Sequence, residues 1–416
     1  TGNELNNVLI GNNGNNLLDG RGGDDNMSGG LGNDTYVVEQ SGDVITELGG
    51  QGTDLVRSTL ETYTLGDNFE NLTLDVNFDG TTLLAAGITG IGNGAANVIT
   101  GNGPIEGHFS GNNDLYGMAG HDTIDGGKGA DTMTGGTGDD DYYVDNAEDS
   151  IVEQADEGRD AVFVDYSDGA AWSDNFSFEL PNHVEDAFFA FVSLDVLTTL
   201  IGNALANKLN GNDGKNRLDG DYGNDTMAGG KGDDTYVVGE LGDDVIENGN
   251  EGADTVEALI DGYTLDDNLE NLTLLGEAKV GNGNALGNNI TGNATVGNVL
   301  NGGGGADTMI GGAAGDTYYV DTSLDAIEDG ADGGIDLVIA TGNYALGAHL
   351  ENLVLDGIDN INGIGNDEGN TIVGNNGNNL INGGTGTDTA SYTAALAAVT
   401  ANLTTGQATG GGGTDT

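Results

Sequence analysis

From Gly2 to Val37 the chain repeats itself every nine residues, as GNELNNVLI, GNNGNNLLD, GRGGDDNMS and GGLGNDTYV. The last copy, Gly29 to Val37, fits G-G-x-G-x-D-x-U-x, where U is a large apolar residue. The glycines let the backbone turn tightly, Asp34 at the sixth place offers a carboxylate, and Tyr36 at the eighth turns inward along a short strand. One turn and one strand cannot bury an apolar face alone, so such copies must stack on one another. A stack of short parallel strands is the fold class that follows.

The pattern returns as GMAGHDTID, GGKGADTMT and GGTGDDDYY from Gly117 to Tyr143, and as GDYGNDTMA and GGKGDDTYV from Gly220 to Val237. It appears again as GGGGADTMI and GGAAGDTYY from Gly302 to Tyr319, and as GGTGTDTAS from Gly383 to Ser391. On these motifs the chain resembles the RTX family of secreted bacterial proteins over nearly its whole length. The resemblance implies an all-β fold, a right-handed parallel β-roll or β-solenoid with calcium-binding turns. Calcium would lie between loops of stacked turns, held by sixth-place aspartates and by backbone carbonyls of the glycine-rich segment. Carried over residue by residue, the sixth place is Asp25, Asp34, Asp122, Asp131, Asp140, Asp225, Asp234, Asp307, Asp316 and Asp388.

Less obvious copies follow each DTY-type repeat, where the glycines fade and the acid and apolar places persist. They add Asp43, Asp54, Asp149, Asp160, Asp244, Asp254, Asp325 and Asp336 as candidate calcium ligands, each with an apolar residue two positions on. The competing reading of all these aspartates is a solvated charged face. Each tandem block opens instead on asparagine at the sixth place: Asn7, Asn16, Asn97, Asn207, Asn216, Asn288, Asn370 and Asn379. A neutral amide is a weaker ligand, and the reading preferred for these residues is a hydrogen-bonded ladder that holds the turn without metal.

A longer period contains the short one. An aromatic start leads into ENLTL, with Tyr63 before Glu70 to Leu74, Tyr263 before Glu270 to Leu274, and Tyr344 before ENLVL at Glu351 to Leu355. Alternating leucines suit a half-buried strand. Four units result, at residues 2–91, 92–201, 202–282 and 283–364, with a partial unit at 365–416. No linker separates them, so the expectation is one continuous solenoid over 1–416, with about 20 residues per turn and wider coils at ENLTL, of the order of 100 Å long. Beginning and ending inside repeats, the chain reads as part of something larger. The second unit replaces ENLTL with VEDAFFAFV and gathers Phe163, Phe176, Phe178, Phe188, Phe189 and Phe191 around Trp172. These form either a wider local core or an exposed contact surface for a glycan or another protomer.

The formal charge is -60, from 69 acidic and 9 basic residues. Repulsion on that scale expands a metal-free chain and excludes nucleic acid and anionic membrane surfaces, which need basic patches. A hard cation that tolerates carboxylate and carbonyl oxygens, calcium above all, is the implied partner. There are no cysteines for disulfides or thiolate sites. No apolar run approaches the length of a membrane span. His108, His121, His183 and His349 are scattered, and no H-E-x-x-H, G-x-S-x-G or P-loop occurs. No catalytic residue is assigned. The resemblance implies type I secretion from a Gram-negative bacterium or cyanobacterium and folding in extracellular calcium. The function expected is a structural or adhesive rod at the cell surface, able to self-assemble through exposed terminal rungs. The alternative is the secretion and folding domain of an exported enzyme or toxin.

Overall fold

The computed structural model describes residues 1–75, 88–101, 111–165, 176–190, 197–330, 333–396, 398–402, 406–410 and 413–416. The described residues form 43 strands and no helix. They divide into two compact units, residues 1–213 with 221–226, and residues 214–220 with 227–416. Each unit is a parallel β-solenoid.

Each nonapeptide supplies a strand of about three residues at its x-U-x end, and the glycine-rich half turns the chain to the other side. Strands two apart in sequence therefore pair. In the first unit, Leu17–Asp19 pairs with Thr35–Val38, then Leu55–Ser58, Asn71–Leu74 and Val98–Thr100. The same sheet runs on through Thr123–Asp125, Asp141–Val144, Ala161–Val164, Asp186–Phe189 and Lys208–Asn210. In-register pairing stacks the eighth places in one column: Leu18, Tyr36, Val56, Leu72, Ile99, Ile124, Tyr142, Val162, Ala187 and Leu209. Leu18 is 4% exposed and the other nine are fully buried. The second unit repeats the device with Leu218, Tyr236, Val256, Leu272, Ile290 and Met309. Its facing sheet stacks Leu300, Tyr318, Val338, Leu353 and Ile372. The core is two such columns thick, so each residue in it matters.

Coil length is less regular than the repeat. Nonapeptide coils take 18 residues and the coil after each DTY repeat takes 20. The coil that reaches ENL takes only 16 residues at Glu70 and Glu270 and 15 at Glu351. The ENL coils are thus tighter than the wider coils the sequence suggests. Their leucines still fill the core, with Leu72, Leu74, Leu272, Leu274, Leu353 and Leu355 at most 2% exposed. Space for two leucines comes from glycine on the facing strand. A Cβ on Gly90 would lie 3.2 Å from Leu115 and Leu74, one on Gly281 3.0 Å from Leu272, and one on Gly363 3.0 Å from Leu353.

In the second long unit, Phe176 and Phe189 are buried and meet edge to face at 6.0 Å. Tyr143, Phe163 and Phe188 stack on successive strands at 4.9 and 5.1 Å, with Lys208 over the last ring. Stacked in this way, the rings cover one another's faces and offer mainly their edges to solvent. Trp172 and Phe191 lie outside the described residues, as does His108. At the C-terminal end the parallel pattern stops. Val399–Asn402, Gln407–Gly410 and Gly413–Asp415 pair antiparallel, where the sequence from Ala390 to Thr416 reads as the edge or the continuation of the same structure.

Because Gly281 faces two fully packed leucines, Gly281→Val should lower stability by about 1–3 kcal/mol through overpacking. Urea denaturation in saturating calcium measures this, and an unchanged midpoint would show that the facing strands are free to move apart.

Candidate metal centres

The sixth place opens each strand, which sets its side chain at the mouth of the turn, beside the coil before. From there one oxygen of the side chain accepts the backbone N–H of the sixth residue in that coil. In the first unit Asn16 donates to Asp34 at 2.6 Å, Asp34 to Asp54 at 2.7 Å, and Asp54 to Oε2 of Glu70 at 2.7 Å. A longer run goes from Asn97 to Asp122, Asp140, Asp160 and Glu185, with bonds of 2.7 to 2.8 Å. Asn216, Asp234, Asp254 and Glu270 form a third ladder, and Asn298, Asp316, Asp336 and Glu351 a fourth. The ladder thus ends on the glutamate of ENL, or on Glu185 in the variant unit, a role that the strand-like look of the motif hides.

The second oxygen of these carboxylates has a different fate. Oδ2 of Asp25, Asp34, Asp122, Asp131, Asp140, Asp160, Asp234 and Asp307 is buried and accepts no hydrogen bond. In all of these but Asp160 it lies against the first glycine of its own repeat, where a Cβ on Gly20 or Gly29 would collide with it. A buried carboxylate oxygen without a donor costs several kcal/mol unless it is protonated or meets a cation. Oxygen-only surroundings, stacked carboxylates and glycine backbone within reach suit a hard cation of the calcium type. The residues present therefore fit that ion.

The other expected sites fall into distinct groups. Asp43, Asp149 and Asp325 use one oxygen on the N–H of Asp25, Asp131 and Asp307, and the other on two N–H groups of their own turn. Both oxygens are satisfied, so these three cap turns. Asp244 is misplaced by one residue. Asp243 makes the equivalent turn bonds to Gly239 and Glu240, while Asp244 is exposed in the strand Asp244–Val245. Asp225 and Asp388 accept the N–H of Asn207 and Asn370, Asp225 buried and Asp388 exposed. In the final hairpin Asp415 plays the same part for Asn379.

The asparagine rungs close on themselves. In Asn97, Asn207, Asn288 and Asn370 the amide oxygen accepts the N–H four residues earlier, at 2.7 to 2.8 Å, and the amide nitrogen donates to backbone carbonyls of the rung before. Both ends of the amide are engaged without an ion.

Four buried carboxylate groups stand out: Asp34 with Glu47 and Asp54, Asp140 with Glu153 and Asp160, Asp234 with Glu247 and Asp254, and Asp316 with Asp329 and Asp336. In each, one oxygen per residue lies within 4.8 Å of the others. Four of these residues, Glu47, Glu153, Glu247 and Asp329, escaped the sequence reading because they hold no fixed place in a nonapeptide. A constant interval was the available signal, since each glutamate follows its DTY-type tyrosine by eleven residues.

Burial raises many of these groups far above the ordinary carboxylate range. Asp54 and Asp254 are pushed up to about 6, and Asp122, Asp131, Asp160, Asp234, Asp336 and Glu247 to about 7. In an unfolded chain the same carboxyls titrate near 4. The metal-free fold therefore holds more protons than the unfolded chain between about pH 4 and 7, and its stability falls as pH rises through that window. In chelator the thermal midpoint of the β signal should drop from pH 4.5 to 7.5, and excess calcium should remove the drop by favouring the ionised form. A midpoint that rises with pH in chelator would contradict the burial of these acids.

A family model described as RTX calcium-binding nonapeptide repeat (4 copies) matches residues 1–36, 109–142, 201–236, 297–321 and 364–391. A search of curated proteins gives no match. The matched stretches contain the best-formed glycine turns and, within the first four of them, the first aspartates of the ladders just described. The chain thus carries copies of the RTX calcium-binding nonapeptide repeat, spread along its length.

Proposed function

We propose that this chain is an extracellular structural or adhesive module that folds and stiffens on binding calcium. The observation that carries this reading is the file of buried, donor-free Oδ2 atoms on successive rungs. Each joins a side chain already bonded to the neighbouring coil, so an ion held there would couple two turns, and its binding energy becomes folding energy. Calcium of the extracellular class binds at roughly 10⁻⁴ to 10⁻³ M, which suits a chain that stays open in a calcium-poor cytosol and closes after export. That division supports a type I secretion route. The RTX roll is a structural calcium-binding fold, and the acidic rows are accounted for by cation binding without general acid or base work.

The eighteen aspartates named from the sequence are not equivalent in this reading. Asp25, Asp34, Asp54, Asp122, Asp131, Asp140, Asp160, Asp234, Asp254, Asp307, Asp316 and Asp336 are the proposed ligands, together with Asp225. The succession of four long units without a linker in the sequence supports a role as a spacer, and self-assembly through exposed rungs belongs to the same reading. In the rival reading, the chain is the folding segment of a larger exported enzyme. Flanking sequence separates the two: more repeats favour the structural role, and an H-E-x-x-H or G-x-S-x-G domain overturns it.

The direct test is a calcium titration followed by circular dichroism and small-angle scattering, with magnesium as control. A cooperative passage from expanded chain to β-rich particle with calcium alone is expected. Compact β structure at neutral pH in chelator, unchanged by calcium, would overturn the proposal.

A further inference from the structure

Each DTY-type repeat is followed by a carboxylate for which the nine-residue rule has no place. Glu47 enters the coil where the glycine turn has been lost. Its Oε1 accepts the N–H of Gly29 at 3.2 Å and the phenol of Tyr36, while its Oε2 is buried and accepts nothing. Asp34 and Asp54 close around it. The long sequence unit at 92–201 shows the arrangement most fully. Asp140, Glu153 and Asp160 are 0%, 8% and 1% exposed, and each keeps one oxygen without a donor, while Tyr142 binds the other oxygen of Glu153. Tyr236 and Glu247 repeat the contact between Asp234 and Asp254. In the last unit Asp329 stands in for the glutamate, and Tyr318 lies 3.5 Å from Oδ2 of Asp316.

We infer that these four clusters are cation sites of a separate, tighter class, in which Glu47, Glu153, Glu247 and Asp329 are ligands supplied from outside the nonapeptides. Three acids converge within 4.8 Å in each cluster. Arg57, Arg159 and Arg217 make ion pairs with other acids, Asp75, Asp186 and Glu257. The donors are all oxygen, which selects a hard cation, and the buried setting disfavours magnesium, which keeps several of its waters. Affinity at such sites rises with the number of charged ligands. An ordinary rung offers one free carboxylate oxygen, so the three-carboxylate clusters fill first. Glu47, Glu153 and Glu247 also lie beyond residues 36, 142 and 236, where the RTX matches end. The phenol is held against the ligand carboxylate and would report the ion directly.

The inference rests on the calcium-dependent folding proposed above. Its test is a terbium(III) titration of the full chain, exciting tyrosine and reading terbium emission, with calcium ions counted by equilibrium dialysis. Sensitised emission should saturate before the bulk of calcium binds. The triple variant E47Q/E153Q/E247Q should lose three ions from the tight class and most of the emission, leaving the Tyr318 site. Y36F/Y142F/Y236F, which keeps every carboxylate, should lose the same emission with the ion count unchanged. Should the glutamine variant fail to fold, undiminished emission from the phenylalanine variant overturns the inference on its own. An unchanged tight class and unchanged emission in the glutamine variant would mean that protons alone neutralise the clusters. In that case calcium binding elsewhere leaves the broader function standing, whereas a wild-type chain that binds no calcium removes both.

Discussion

The structure depends on one bond repeated: a carboxylate at the mouth of a turn accepting the backbone N–H of the coil before it. Hydrogen bonds to a charged acceptor contribute about 1.5–3 kcal/mol each, more than a neutral bond, so the ladder is a strong register device. It also forces the carboxylate into the stack, where its second oxygen is cut off from water. Register and charge burial are therefore the same event. A fold that closes by burying negative charge on successive rungs needs a positive ion at those rungs, or protons.

The asparagine rungs limit how far this can run. After the glutamate of each ENL-type segment, the next sixth place is Asn97, Asn207, Asn288 or Asn370, whose amide satisfies itself on both sides. Charged ladders are thus broken into short runs separated by neutral rungs. Repulsion within a buried column grows with each added carboxylate, and the amide rungs stop it accumulating. The same breaks divide the solenoid into stretches that need an ion and stretches that do not. The glycine and leucine exchange across the core, Gly281 against Leu272 and Leu274, belongs to the second kind and rests on packing alone.

The period made the eighth-place core and the sixth-place aspartates legible, because an 18-residue coil returns identical places to identical positions. Where the coil changes length, the reading weakened. It weakens too where two acids stand side by side, so that Asp244 reads in the place that Asp243 fills. Glu47 and its counterparts were missed since their place exists only in the 20-residue coil. The ladder role of Glu70, Glu270 and Glu351 was masked by the leucines that follow, which read simply as a strand. Nothing in the repeat marks Gly90, Gly281 and Gly363, and only the facing leucines show that they make room in the core.

A thin core explains why charge is placed where it is. Two columns of apolar side chains bury less surface per residue than a globular interior, so the fold has little reserve against the ordering cost of a chain with 78 glycines. A repeat protein of purely apolar rungs would close spontaneously wherever it was made. Setting donor-free carboxylates beside every column, such as Asp34 beside Tyr36 and Asp140 beside Tyr142, cancels part of that apolar gain until an ion arrives. The tyrosine sits in both systems at once, its ring filling the core and its phenol reaching the carboxylates. Core closure and ion binding at those rungs are thereby joined through one side chain, and neither can reach its full strength before the other.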